Sequence, residues 1–335
     1  MTGTSDRGRK PPLVVGVDVG GTKIAAAVVD AAGQMHGRVQ VPTDVRGAEA
    51  TLESIAEAVL RALSAADVAR DGVLAAGLGI PGKVDPEAGI GILSVNLGWR
   101  DVPVKAFLEA RLGLPCALEN DVKAATLGEG RFGAGRGMRN FIYLSVGTGI
   151  AAGLILDGRL YRGSTGMAGE VGHAIIDPQG PRCKCGARGC LEAVASGPAI
   201  AAQATEALRT SRPTLLRDLA AGSDGQVTAE QVFAAARQGD LVAREVVDEA
   251  GTYLGLAISQ LIMAFDPQRI VLGGGVAQGG DLLLQAIHRE LRRQATESFV
   301  FREMYKPEAV QLTALGTDVG ILGAAALVMP AEGGP

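Results

Sequence analysis

The stretch Val14-Val-Gly-Val-Asp18-Val-Gly-Gly21-Thr22-Lys23-Ile24-Ala25-Ala26-Ala27 has a counterpart in Phe141-Ile-Tyr-Leu-Ser-Val146-Gly147-Thr148-Gly149-Ile150-Ala151-Ala152-Gly153. From Gly21 and from Gly147 onward, five of seven positions are identical. Each copy is an apolar β-like run, a glycine turn, a second apolar run and a closing turn, at Asp30-Ala-Ala-Gly33 or Asp157-Gly158. That order is the signal of a β-hairpin. A hairpin repeated within one chain predicts two related α/β domains.

Outward from the hairpins, strand and helix patterns alternate, which is the α/β signature. Helical periodicity runs through Ala48–Val68, and an apolar strand follows at Val73–Ile80. A helix over Val104–Leu112 stops at Gly113, a suitable C-cap, before a short strand at Pro115–Glu119 and a helix starting near Asp121. Helices dominate Gly197–Phe265; a strand at Arg269–Leu272 then runs into Gly273-Gly274-Gly275, and helices over Asp281–Arg293 and Asp318–Val328 finish the chain. The divisions expected are a disordered tail over 1–12, an N-terminal lobe over 13–134, a larger lobe over 135–316, and a C-terminal helix over 317–330 packing back on the first lobe.

The chain has 335 residues, 47% of them apolar, and a formal net charge of −4. A slight acidic excess argues against nucleic acid or an anionic membrane as partner. No apolar run approaches the roughly 18 residues of a membrane span, and the polar N-terminus lacks the apolar stretch of a signal peptide. A cytoplasmic protein is expected. Three of the four cysteines fall in Cys183-Lys-Cys185-Gly-Ala-Arg-Gly-Cys190, ten residues after His173. Such spacing in a reducing compartment reads as metal binding rather than a disulfide framework. Cys116, in an apolar segment, reads as a buried small residue, and His36 and His288 as surface residues.

His173, Cys183, Cys185 and Cys190 are the ligand set of a closed tetrahedral zinc site, structural because no position is left open. Glu170 and Glu192 flank the ligands, and a purely structural knot has no use for them. The Gly-Thr turns present backbone N–H groups suited to phosphate oxygens. Asp18 stands where it would orient water on a phosphate-bound Mg²⁺, with Lys23 near the same phosphates. Gly77-Leu-Gly79-Ile-Pro-Gly82 and Gly147-Thr-Gly149-Ile-Ala-Ala152 match the dinucleotide fingerprint as strings, but neither opens a helix after its strand, as that fingerprint must. Glu119-Asn120-Asp121, where a strand meets a helix, suits either a helix cap or a carboxylate that accepts a proton from a substrate hydroxyl.

Asp18-Val-Gly-Gly-Thr-Lys23, Glu119-Asn-Asp121, Gly147-Thr-Gly149, Gly169-Glu-Val-Gly-His173 and Cys183-x-Cys-Gly-x-x-Gly-Cys190-x-Glu192 together resemble the ROK family (repressors, open reading frames and kinases), and within it the ATP-dependent glucokinases. The likeness runs from about Val14 to Ala326. It implies a duplicated actin-like ATPase (ribonuclease H-like) fold whose two lobes close over a cleft. It also implies phosphorylation of a hexose at its 6-hydroxyl, glucose first, with N-acetylmannosamine, N-acetylglucosamine or fructose as alternatives. Asp121 would be the catalytic base. Gly82, Asn120, Asp121, Glu170, His173 and Glu192 would bind the sugar. Asp18, Gly21, Thr22, Lys23, Thr148, Gly149, Gly273, Gly274 and Gly275 would hold ATP with Mg²⁺, and Zn²⁺ would sit on the Cys₃His set. A homodimer is implied too. The family's regulators carry a DNA-binding module ahead of the first motif; about a dozen residues stand there in this sequence. Two positions depart from the family pattern, Lys123 in place of a common Asn and Ala151 in place of a common Gly.

Overall fold

The computed structural model describes residues 12–222 and 225–330. Apart from Pro12, the tail expected over 1–12 lies outside the described residues. The chain divides into two compact units, one of residues 1–132 with 318–335 and the other of 133–317.

The first unit begins with strands β1 (Val14–Val19), β2 (Lys23–Val29) and β3 (Met35–Pro42), followed by helix α1 (Ala48–Ala65). Then come β4 (Ala76–Ile80), β5 (Lys83–Asp85), β6 (Ile90–Ser94), β7 (Trp99–Val102), α2 (Val104–Leu112), β8 (Cys116–Asn120) and α3 (Asp121–Phe132). The main sheet has the order β3-β2-β1-β4-β8. The first three strands are antiparallel, while β4 and β8 run parallel to β1 and to each other. In the central strand Val14, Val15 and Val17 are fully buried, as expected of a strand covered on both faces. Helix α1 buries Leu52, Ile55, Ala56, Val59, Ala62 and Leu63, the i, i+3, i+4, i+7 stripe that makes it cover a sheet. Gly113, in the left-handed region at φ 67, ends α2 as foreseen.

One expectation changes here. The strand placed at Val73–Ile80 begins only at Ala76, after a 3₁₀ turn over Arg70–Gly72. A separate antiparallel sheet of order β5-β6-β7 follows β4, with Pro86–Gly89 forming the turn between β5 and β6. Its strands are three to five residues long, too short for alternation to show.

The second unit starts with β9 (Phe141–Val146), β10 (Ile150–Leu156) and β11 (Arg159–Tyr161). After the cysteine segment come α4 (Leu191–Ala195), α5 (Gly197–Ala207), α6 (Leu216–Ala221), α7 (Ala229–Arg237) and α8 (Leu241–Phe265). Strand β12 (Arg269–Gly273), α9 (Asp281–Glu297), α10 (Phe299–Met304) and β13 (Val310–Leu312) complete it. Its sheet order is β11-β10-β9-β12-β13, with the first three strands antiparallel and β12 and β13 parallel to β9. Strand for strand, this is the topology of the first unit. Neither fingerprint string opens a helix: β4 runs into β5, and the turn after β9 into β10.

His288 is not a surface residue. Its Nδ1 lies 2.7 Å from the Tyr305 hydroxyl, and Phe301 stacks on that tyrosine at 5.5 Å, which ties α9 to α10.

The last helix, α11 (Val319–Ala326), belongs to the first unit. It lies flush against β1 and β4 because a Cβ at Gly16 or Gly77 would fall 2.1 Å or 1.9 Å from the Ile321 or Ala324 carbonyl oxygen. Only glycine permits backbones to approach that closely.

Candidate active site

In the first unit the C-terminal ends of β1, β4 and β8 bring together Asp18, Gly82, Asn120 and Asp121. Such strand ends are where open α/β sheets bind ligands. At this junction the structure bears out the helix-cap reading for Asn120. Asn120 is the cap: its Oδ1 accepts from the Lys123 backbone N–H at 3.1 Å. That contact fixes the amide's orientation, since a backbone N–H only donates. Its Nδ2 then donates to the Gly82 carbonyl at 3.1 Å and to Asp121 Oδ1 at 2.8 Å. Both amide hydrogens are thus committed, and the remaining capacity of Asn120 is as an acceptor at Oδ1. Asp121 Oδ1 also accepts from the Val122 N–H at 2.9 Å, so its carboxylate is held in one plane at the start of α3.

Gly82 sits at φ +100, and a Cβ there would lie 2.2 Å from the Leu93 carbonyl oxygen. No other residue fits this turn. Asp18 lies at the end of β1 beside Gly79 of β4. Burial first, then repulsion from Asp121, pushes its carboxyl up to about 6 against the opposing pull of Lys23. The first glycine turn is pinned by Thr43, whose hydroxyl donates to the Gly20 carbonyl at 2.7 Å; sequence reasoning did not single out Thr43. Thr22 and Lys23 are exposed at the tip.

In the second unit the segment after β11 folds onto β10. A Cβ at Gly169 would lie 1.8 Å from the Ala152 carbonyl oxygen, and one at Gly172 2.1 Å from that of Ile150. These glycines let Glu170 and the 3₁₀ turn Val171–His173 lie against the strand, with Glu170 and His173 exposed. The cysteines return in a tight hairpin, Cys183 N–H donating to the Ala187 carbonyl at 2.8 Å. The ligand atoms of His173, Cys183, Cys185 and Cys190 all fall within 4.8 Å of one another. Cys183 Sγ is 3.8 Å from His173 Nδ1, and Cys185 Sγ is 3.6 Å from Cys190 Sγ. Tetrahedral zinc, with bonds of about 2.3 Å to sulfur and 2.0–2.1 Å to nitrogen, requires ligand atoms about 3.6–3.8 Å apart. The donor set therefore fits that ion. Because Nδ1 faces the sulfurs, Nε2 lies at the opposite edge of the ring. Cys116 stands apart, buried and held up at about 12 by burial.

Glu192, in the first turn of α4, reaches the second glycine turn: its Oε2 accepts from the Ile150 N–H at 3.1 Å. The Gly273–Gly275 loop lies beside the same turn. A Cβ on Gly147 would be 3.7 Å from the Gly275 nitrogen, and Gly274, at φ +86, crowds the Val146 carbonyl. Thr148 and Gly149 are exposed at the tip.

The ROK family pattern matches residues 14–331. The chain belongs to the ROK family. It is 38% identical to a glucokinase of Halalkalibacterium halodurans over 95% of both chains. A ROK family glucokinase from Streptomyces griseus, solved in complex with glucose and AMPPNP, matches with a TM-score of 0.79 at 36% identity, covering 94% of this chain and 98% of that one. A putative xylose repressor from a Caldicellulosiruptor species is 31% identical over 98% of this chain but only 83% of its own length. The repeated sheet order is that of the family's actin-like ATPase fold.

Proposed function

We propose that this ROK protein is an ATP-dependent hexose kinase that transfers the γ-phosphoryl group to the 6-hydroxyl of glucose. The observation that carries the reading is the Cys₃His cluster, with His173 Nδ1 on its sulfurs, set in the same stretch of chain as Glu170 and Glu192. Near-full-length similarity to glucokinases supports it.

Phosphoryl transfer asks a protein chiefly to position groups and to neutralise charge. Asp121 takes the proton of the 6-hydroxyl as that oxygen attacks phosphorus in line. Asn120 holds Asp121 and the Gly82 carbonyl in fixed relation and offers its Oδ1 to a sugar hydroxyl. Glu170, His173 and Glu192 read the remaining hydroxyls. Backbone N–H groups of Gly21–Lys23, Thr148, Gly149 and Gly273–Gly275 bind phosphate oxygens. Mg²⁺ entering with ATP would supply positive charge to the phosphates, and Asp18 is the residue that would hold it through water. His173, Cys183, Cys185 and Cys190 would hold a structural Zn²⁺, which would keep the segment carrying Glu170 and Glu192 preorganised.

A homodimer is proposed on family likeness, with light scattering as its check. Among the described residues no helix is long and apolar enough to cross a membrane, in keeping with the cytoplasmic location we assign. An ADP-release assay over a panel of hexoses and amino sugars tests the function. Glucose should give the highest kcat/KM. A preference for an N-acetyl sugar would move the protein to another branch of the family's kinases, and sugar binding without ADP release from any sugar in the panel would favour a sugar-sensing regulator.

A further inference from the structure

Gly149 is not among the residues with positive φ, so its backbone does not demand glycine. Nor is the space at its tip closed by the fold. A Cβ built there meets only Glu192, Oε2 at 2.8 Å and Cδ at 3.7 Å. That same Oε2 accepts the Ile150 N–H. At the equivalent place in the first turn the chain carries Lys23, exposed and with a full side chain. What excludes a side chain at position 149 is therefore one carboxylate, delivered from α4 two residues after the zinc ligand Cys190.

We infer that Gly149 is a positioning residue for the sugar: by leaving room for Glu192, a residue of the nucleotide turn sets the affinity for the hexose. The inference rests on the reading of Glu192 as a sugar contact. The route is short and physical. The Glu192 carboxylate is clamped between the Ile150 N–H and the bare Cα of Gly149. A methyl group at 149 pushes it off that clamp, and it then meets the sugar misplaced. Coupling of this kind is reciprocal, so sugar held by Glu192 also steadies the turn that receives phosphate, and glucose should tighten nucleotide binding.

Calorimetric titration with glucose, in the absence of nucleotide, tests the idea on the zinc-loaded protein. Gly149→Ala should weaken glucose about tenfold, the worth of one misplaced hydrogen bond, with thermal midpoint and zinc content unchanged. Gly147→Ala, whose methyl group meets nothing closer than 3.7 Å, should leave the glucose Kd within about twofold. On a Glu192→Ala background, Gly149→Ala should change glucose affinity no further, because both act through one carboxylate. A wild-type glucose Kd in Gly149→Ala, beside a weakened Glu192→Gln, overturns the inference and spares the proposed function. Wild-type glucose binding by Glu192→Gln instead removes the sugar role of Glu192, and the inference with it. Equal weakening by Gly149→Ala with and without Glu192 also overturns it, since the methyl group would then act on the fold.

Discussion

The two glycine turns share sheet order and sequence, yet only the first is charged. In register, Val19 pairs with Ile24 across the first turn and Val146 with Ile150 across the second. Asp18 and Lys23 therefore correspond to Ser145 and Gly149, and the first loop is longer by one residue, Gly20. The carboxylate at the second turn comes from outside the repeat, from Glu192 on α4. Duplication supplied a backbone cradle twice. The differences then set the turns apart: the first has a carboxylate electrostatically coupled to Asp121, and the second is tied through Glu192 to the segment that carries the Cys₃His cluster.

That division is open to attack, most forcefully at Asp121. Replacing it with Asn should lower kcat by about a thousandfold, within the range for a lost general base, while calorimetry finds glucose still bound. A brisk Asp121→Asn enzyme would return the chemistry to other residues. Next in size is the metal. Removing zinc with a chelator, or replacing the fully buried Cys190 with Ser, should raise the KM for glucose more than about tenfold and lower the thermal midpoint by several degrees, because the free energy of metal binding contributes to folding. Elemental analysis alongside calorimetry checks it; an unchanged KM in zinc-free protein would detach the knot from the sugar.

Copying the second turn into the first is a finer cut. Lys23→Gly should raise the KM for ATP about three- to tenfold, the scale of a partly exposed charge contact with phosphate, with the KM for glucose unmoved. A shift in the glucose value instead would mean that the two turns do not divide their tasks as stated. The smallest effect is in pH. In the role proposed for it Asp18 would act as the carboxylate, and burial with repulsion from Asp121 pushes its carboxyl up to about 6. Nucleotide affinity should therefore be full above that value and fall as pH drops through it. In Asp121→Asn the repelling charge is gone, so the midpoint should move to lower pH. An upward shift or none would contradict the coupling of the two carboxylates.

Much of this was legible in the chain because the informative signals are local. The hairpin repeat lies within short windows, and the Cys₃His spacing forces its ligands into a single small loop. The small β5-β6-β7 sheet was not legible, since strands that short carry no periodicity. His288 was misjudged for a related reason: its partner, Tyr305, lies just past the end of α10, and nothing nearby in sequence marks His288 as half-buried. Asn120 shows the limit most clearly. As a string it suits a cap or a ligand equally, and only Gly82, from a distant turn, reveals that both of its amide hydrogens are already in use.

By itself, then, the sequence determined the duplicated α/β plan, the metal ligands and the residue types able to handle phosphate and sugar, since each depends on near neighbours along the chain. The tertiary structure decided which polar atoms of Asn120 are already engaged, why the Asp18 carboxyl is pushed up to about 6, and which carboxylate a side chain at position 149 would meet. Those depend on groups that meet only when β1, β8, α3 and α11, or β10 and α4, are folded together. Hydrogen bonding and burial act at distances of a few ångströms, and the chain's order does not record which distant residues come that close.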